Sequence, residues 1–212
     1  EQISEDMSKS DAQIDSLVVA MLEYNEKAFN GLISRSIISN GLENAFKDIV
    51  FPFLKKTGVL WQTGTVNPGQ EHFITNIIRQ KIISSIDSQP TTHNTNSKKI
   101  LMYLPESEMH ELGLLFYAYL AKENGHEVLY LGQHTPFESV KFSAEVWGAD
   151  IILTGTLSSL VNVDSEYVRR LSGVFKDKKV ILTGQMLTLA EKDMKNIYTV
   201  KSPEEFIQII NS

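Results

Sequence analysis

The chain has 212 residues, 42% of them hydrophobic and 22% charged, the balance of an ordinary globular protein of one or two domains. A formal net charge of −6 gives no general attraction to phosphate, so the chain by itself is not expected to bind DNA. It has no cysteine, which excludes disulfides, thiolate metal sites and cysteine nucleophiles and fits a reducing, cytoplasmic setting. No apolar run approaches the roughly 20 residues of a membrane span. The acidic start, Glu1 to Asp6, lacks the basic and apolar regions of a signal peptide.

Residues 1–86 carry helical periodicity. Ile14, Leu17, Val18, Met21 and Leu22 repeat at helical spacing over Asp11 to Tyr24, with Ser10 as the expected N-cap. Ala28, Phe29, Leu32 and Ile33 continue the pattern over Glu26 to Ile38, and Asn40-Gly41 is a stop signal. A third helix is expected from Leu42 to Lys56, with a kink or a first-turn break at Pro52, and ended by Gly58. Asn67-Pro68-Gly69-Gln70 opens a fourth, with Asn at the N-cap, Pro at the first position and Gln at the third. Short loops between four such helices predict a bundle. Residues 87–97 are polar and aperiodic and read as a linker, with His93 solvated.

From residue 98 the period changes. Short apolar runs at Lys99–Leu104, Glu127–Leu131, Asp150–Leu153, Lys179–Leu182 and Ile197–Val200 read as strands. Helices are expected between them over His110–Asn124, from Thr135-Pro136, over Val163–Phe175 and around Glu191, and after Ser202-Pro203. This alternation predicts a five-stranded parallel, doubly wound sheet of the flavodoxin or Rossmann type over 98–212, making the whole an α plus α/β chain. An Asp at the start of the third strand instead of its end excludes a phosphorylated receiver.

Ligands bind at the carboxyl ends of such strands. There the chain places Glu108-Met109-His110-Glu111-Leu112-Gly113. A neutral His110 can offer Nε2 to a metal while a carboxylate two residues earlier takes the Nδ1 proton, and Gly113 lets a ligand approach the backbone. Taken alone, the segment reads more simply as a helix N-terminus with incidental neighbours. Trp61 alone reads as core, Glu71 near a helix start as dipole compensation, and His134 as a residue able to line the ligand edge of the sheet.

The segment resembles the Asp-x-His-x-x-Gly loop of cobalamin-binding domains, in the Glu form of light-sensing MerR-type regulators. Trp61, followed by Glu71-His72 in a bundle just before that domain, is similar to the adenosylcobalamin-dependent MerR-type photoreceptors of the CarH/LitR kind. The resemblance runs from about residue 10 to 212. It implies that His110 is the lower cobalt ligand, supported by Glu108 and Gly113, and that Trp61, Glu71 and His72 line the adenosyl side. The nucleotide tail would meet Thr156 and Ser158 after the third strand and Thr183-Gly184 after the fourth. Two positions depart from the family pattern: Gln62 stands where a photoreceptor has a second cobalt-binding His, and Thr183 replaces a Gly. The implied function is non-enzymatic. Adenosylcobalamin, held between bundle and α/β domain, controls assembly of a homo-oligomer (dimer or tetramer) and DNA binding by a winged helix preceding residue 1, and light reverses both. A corrinoid methyl carrier of a methyltransferase system and a cofactor-free regulatory module are the alternatives.

Overall fold

The computed structural model describes residues 2–90, 96–157, 163–191 and 193–212, with side chains from residue 10 onward. His93 and Ser158 lie outside the described residues. The chain divides into two compact units, Glu1–Ser85 and Ile86–Ser212.

The first unit contains α1 (Gln2–Leu22), α2 (Glu26–Ala45), α3 (Phe51–Gln62) and α4 (Pro68–Asp87). Leu17, Met21, Phe29, Ile33, Phe53, Ile74, Ile78 and Ile82 are fully buried, as the helical spacing of apolar residues predicts. Each such side chain contributes about 1.5–3 kcal/mol of burial. Phe29 meets Phe53 edge-on at 5.4 Å.

Three expectations about these helices are corrected. α1 begins at Gln2, so Ser10 sits inside a helix that no Pro or Gly interrupts. Gly41 does break helical geometry (φ 77°), but the chain resumes helix at once. A π turn over Phe46–Val50 then leads without a break into α3, which has Pro52 in its first turn. α3 also runs through Gly58, where a Cβ would meet open space, so Trp61 lies in its last turn.

The start of α4 follows its sequence signature. The Asn67 side chain accepts from the Gln70 N–H and the Gln70 side chain accepts from the Asn67 N–H, both at 3.0 Å. The Gln70 amide also donates to the Leu22 carbonyl at 2.9 Å, tying the head of α4 to the tail of α1.

The second unit is a parallel sheet of β1 (Lys99–Tyr103), β2 (Glu127–Gly132), β3 (Ile151–Thr156), β4 (Lys179–Gly184) and β5 (Ile197–Thr199), in the order β2-β1-β3-β4-β5. That is the flavodoxin-like order, whose switch point lies between β1 and β3. The connecting helices are α5 (Leu112–Glu123), α6 (Phe137–Trp147) and α7 (Ser165–Val174), with α8 (Pro203–Ile210) closing the chain. Leu101, Tyr103, Ile152, Val180 and Leu182 pack in one cluster with Phe137, Val140, Val168 and Leu171 of α6 and α7. The alternate residues Ile100, Met102, Leu153 and Ile181 are also buried, hence on the opposite face. On α5 and α8, the rings of Tyr117 and Phe206 lie 4.8 Å apart.

β3 and β4 both run past their expected ends. Thr154, Gly155 and Thr156 continue the β3 ladder against Leu182, Thr183 and Gly184 of β4, instead of forming loops after the strands. α6 starts at Phe137 with Pro136 extended before it, and Thr135 bonds back to the Gly132 carbonyl at 3.2 Å without capping the helix. α5 begins at Leu112, which leaves His110 in the loop before it. No helix forms at Glu191; a short 3-10 turn, Gln185–Leu189, stands before it and Ala190 is extended.

Candidate functional site

The loop between β1 and α5 is built around one buried carboxylate. Glu108 has no exposed side-chain surface, while 58% of the His110 side chain is exposed. Glu108 Oε1 accepts from the His110 backbone N–H at 2.9 Å and lies 2.6 Å from His110 Nδ1. A carboxylate only accepts, so Nδ1 carries the imidazole proton and the Nε2 lone pair is left available. Among the described residues Nε2 has no hydrogen-bond partner. The other oxygen, Oε2, accepts from the Leu157 N–H at 2.8 Å, just past β3. The Leu157 carbonyl accepts from the Gln185 side chain, just past β4, at 2.7 Å. One relay thus joins the carboxyl ends of β1, β3 and β4.

Around this relay Glu111 is buried and accepts from the Tyr130 hydroxyl at 2.8 Å, fixing the start of α5 to β2. A Cβ on Gly113 would have nothing within 4 Å, so this face of α5 stays open above the loop. Met109 and Leu157 expose apolar surface beside His110. Sequence reasoning missed Leu157, Gln133 and Gln185. Only Leu157 carried a signal, lying within the loop segment assigned to the nucleotide tail.

The tail residues divide. Thr156 is buried within β3. A Cβ on Gly184 would lie 2.1 Å from the Thr156 carbonyl oxygen, and its φ of 66° is left-handed, so this glycine is demanded by the protein's own strand packing. Thr183 lies beside the Tyr117 phenol. Burial pushes that phenol up, and the Thr183 hydroxyl partly offsets the rise. Below the site Tyr103 and Tyr167 share a hydrogen bond of 2.8 Å. Burial raises Tyr103 well above its ordinary value and Tyr167 to about 12, so both remain neutral supports.

In the helical unit, Trp61 is 55% exposed and does not enter the core. Glu71 accepts from the Thr75 hydroxyl at 2.8 Å and its other oxygen lies 3.3 Å from His72 Nδ1. The capping pair Asn67–Gln70 positions both at the head of α4. Val59 and Trp61 at the end of α3 are exposed together.

Residues 13–83 match the family model described as B12 binding domain. Over 152 residues the chain is 26% identical to the HTH-type transcriptional repressor CarH of Myxococcus xanthus, a match covering 72% of this chain and 50% of that protein. The chain carries a CarH-like, B12-binding region. It spans about half the length of that curated relative. Its fold is shared with the monomethylamine corrinoid protein of Methanosarcina barkeri, at a TM-score of 0.69 and 12% identity over 95% of this chain and 98% of the other.

The donor chemistry of this CarH-like region fits a corrinoid. A corrinoid's cobalt, already held by its macrocycle, would need a single nitrogen donor from the protein, and the exposed Nε2 of His110 has the chemistry to supply it. Among the described residues no group of three or more His, Cys, Asp or Glu side chains is placed to hold a bare metal ion. Nor, among them, is any helix long and apolar enough to cross a membrane.

Proposed function

We propose that the chain is the sensory module of a MerR-type regulator and that it binds adenosylcobalamin. The observation that carries this is His110, held at Nδ1 by a fully buried Glu108 and offering Nε2 outward. His110 would ligate cobalt from below, and Gly113 would let the macrocycle lie close to α5. Leu157, Met109 and the ends of β3 and β4 would border it, with Thr183 and Gly184 nearest the nucleotide tail. From the helical unit, Trp61 would cover the adenosyl group, with Glu71 and His72 beside it. Bound adenosylcobalamin supplies a cobalt–carbon bond that light can cleave.

The regulatory role follows from linkage. A ligand that binds one arrangement of a protein better than another shifts it toward that arrangement by its difference in affinity. We assign that role to assembly of a homo-oligomer, coupled to DNA binding by a segment outside these residues. No turnover is part of it. Similarity to the CarH repressor supports the regulatory part, and the B12 binding domain match supports the cofactor. Gln62, an exposed amide next to Trp61, is a poor cobalt ligand, so the illuminated state is not expected to gain a second histidine there.

The test is size-exclusion chromatography after loading with adenosylcobalamin in the dark, then after green light. Retained cobalt with a light-dependent change in size is expected. No retained cobalt rejects the cofactor. Retained cobalt without a size change removes light sensing. The fold shared with the monomethylamine corrinoid protein favours a methyl carrier as second reading. Transfer of the methyl group of bound methylcobalamin to a thiol acceptor, with partner enzymes, would select it.

A further inference from the structure

Among the described residues, two of the three non-glycine residues with left-handed backbone meet beside the site. They are Ser107 (φ 73°) and His134 (φ 49°). Such conformations are strained for residues with a Cβ and persist only where neighbours hold them. Here each is held by the other's loop. The Ser107 N–H donates to His134 Nδ1 at 2.8 Å, and the His134 N–H donates to the Glu108 carbonyl at 3.2 Å. On either side, the Thr135 N–H donates to the Leu104 carbonyl at 3.0 Å and the Gln133 side chain donates to the Met109 carbonyl. The loop after β2 is thus a template along which the ligand loop after β1 is laid. His134 is the member of this template that acts through its ring. As acceptor, its Nδ1 is unprotonated, so the ring is the neutral Nε2–H tautomer.

We propose that His134 is a positioning residue for the cobalt ligand. Its ring acceptor keeps Ser107 left-handed. That conformation turns the following residue, Glu108, inward to meet both His110 and Leu157. Without it the buried carboxylate and the imidazole it orients lose their fixed geometry. The effect on cobalt rests on the cobalamin reading above; the hydrogen bond itself does not.

Two substitutions separate the ring acceptor from backbone strain. His134→Gly accepts the left-handed φ and removes the acceptor. His134→Asn tolerates that φ and keeps an acceptor oxygen near the place of Nδ1. In cofactor-free protein, NMR amide exchange at Ser107 is expected to accelerate about five- to tenfold in His134→Gly, the loss of one net hydrogen bond, and to stay near wild type in His134→Asn. After loading with hydroxocobalamin, the fraction of cobalt showing an imidazole-ligated absorption spectrum is expected to fall in His134→Gly and to recover in His134→Asn. Unchanged Ser107 exchange in His134→Gly, or equal losses in both variants, overturns the proposal. If wild-type protein takes up no hydroxocobalamin, the cofactor reading fails, and the exchange comparison still decides the positioning role.

Discussion

Glu108 is a buried acid whose worth lies in what it orients. Both of its oxygens accept backbone N–H groups, from His110 and Leu157, and one also holds His110 Nδ1. Glu108→Ala strips these donors of their acceptor, and denaturant unfolding of the cofactor-free chain should show a loss of about 1–3 kcal/mol. His110→Ala, which removes a largely exposed ring, should cost far less in the same measurement. The two glycines of the site separate packing from binding. Gly113 lies in the first turn of α5 with open space where a Cβ would be, so Gly113→Ala should raise helix stability by up to about 1 kcal/mol while weakening cobalamin retention. Gly184→Ala should instead destabilise the unit by about 1–3 kcal/mol or more, through left-handed strain and collision with the Thr156 carbonyl. Unfolding curves run beside equilibrium cobalamin titrations distinguish the two. A Gly113→Ala variant that binds as well as wild type would remove that residue from the site.

At the scale of elements, His126 joins the beginning and end of the α/β unit. Its Nδ1 accepts from the Lys98 N–H, and Nε2 meets the Asn211 side chain, both at 3.1 Å. Burial lowers its pKa below the ordinary histidine value, partly offset by the Asn211 bond, with nearby Lys98 lowering it further. A lowered histidine pKa means that the unfolded chain takes up a proton more readily than the folded one. Stability is therefore full above the unfolded value, about 6.5, and declines as pH falls through it toward the folded value. Denaturation midpoints of the cofactor-free chain between pH 7.5 and 5 should fall, and His126→Gln should flatten that slope; equal slopes would contradict this. Elements whose cause is local were legible in the chain. The Asn67–Gln70 box and the Ser202 cap, which accepts from the Glu205 N–H, depend on residues three apart and form as their spacing predicts. Boundaries set by distant partners were not. β3 gains Thr154 to Thr156 because β4 continues beside it, and helix runs past Gly58 because nothing nearby stops it. The π turn at Phe46–Val50 has no local signature comparable to a cap.

For the whole molecule, the legible part of the site was its chemistry, and the hidden part its supports. The Glu-x-His-x-x-Gly spacing lies within one loop and one helix turn, so the Glu108–His110 contact could be read from six consecutive residues. The grip of Gln133 and His134 on that loop depends on β2 lying beside β1, and the Leu157–Gln185 link on β3 lying beside β4. Such neighbours arise only when the sheet order is known. The helical unit holds Glu71 and His72 at a capped helix start and leaves Trp61 exposed. Ligation of cobalt by His110 is tested most directly by dark absorption spectra of adenosylcobalamin retained through gel filtration by the wild-type chain and by His110→Ala. Wild type should retain the corrinoid with the spectrum of imidazole-bound cobalt, and His110→Ala should lose that spectrum or the corrinoid itself. Identical spectra and retention in the two proteins, or no corrinoid held by wild type, would contradict it.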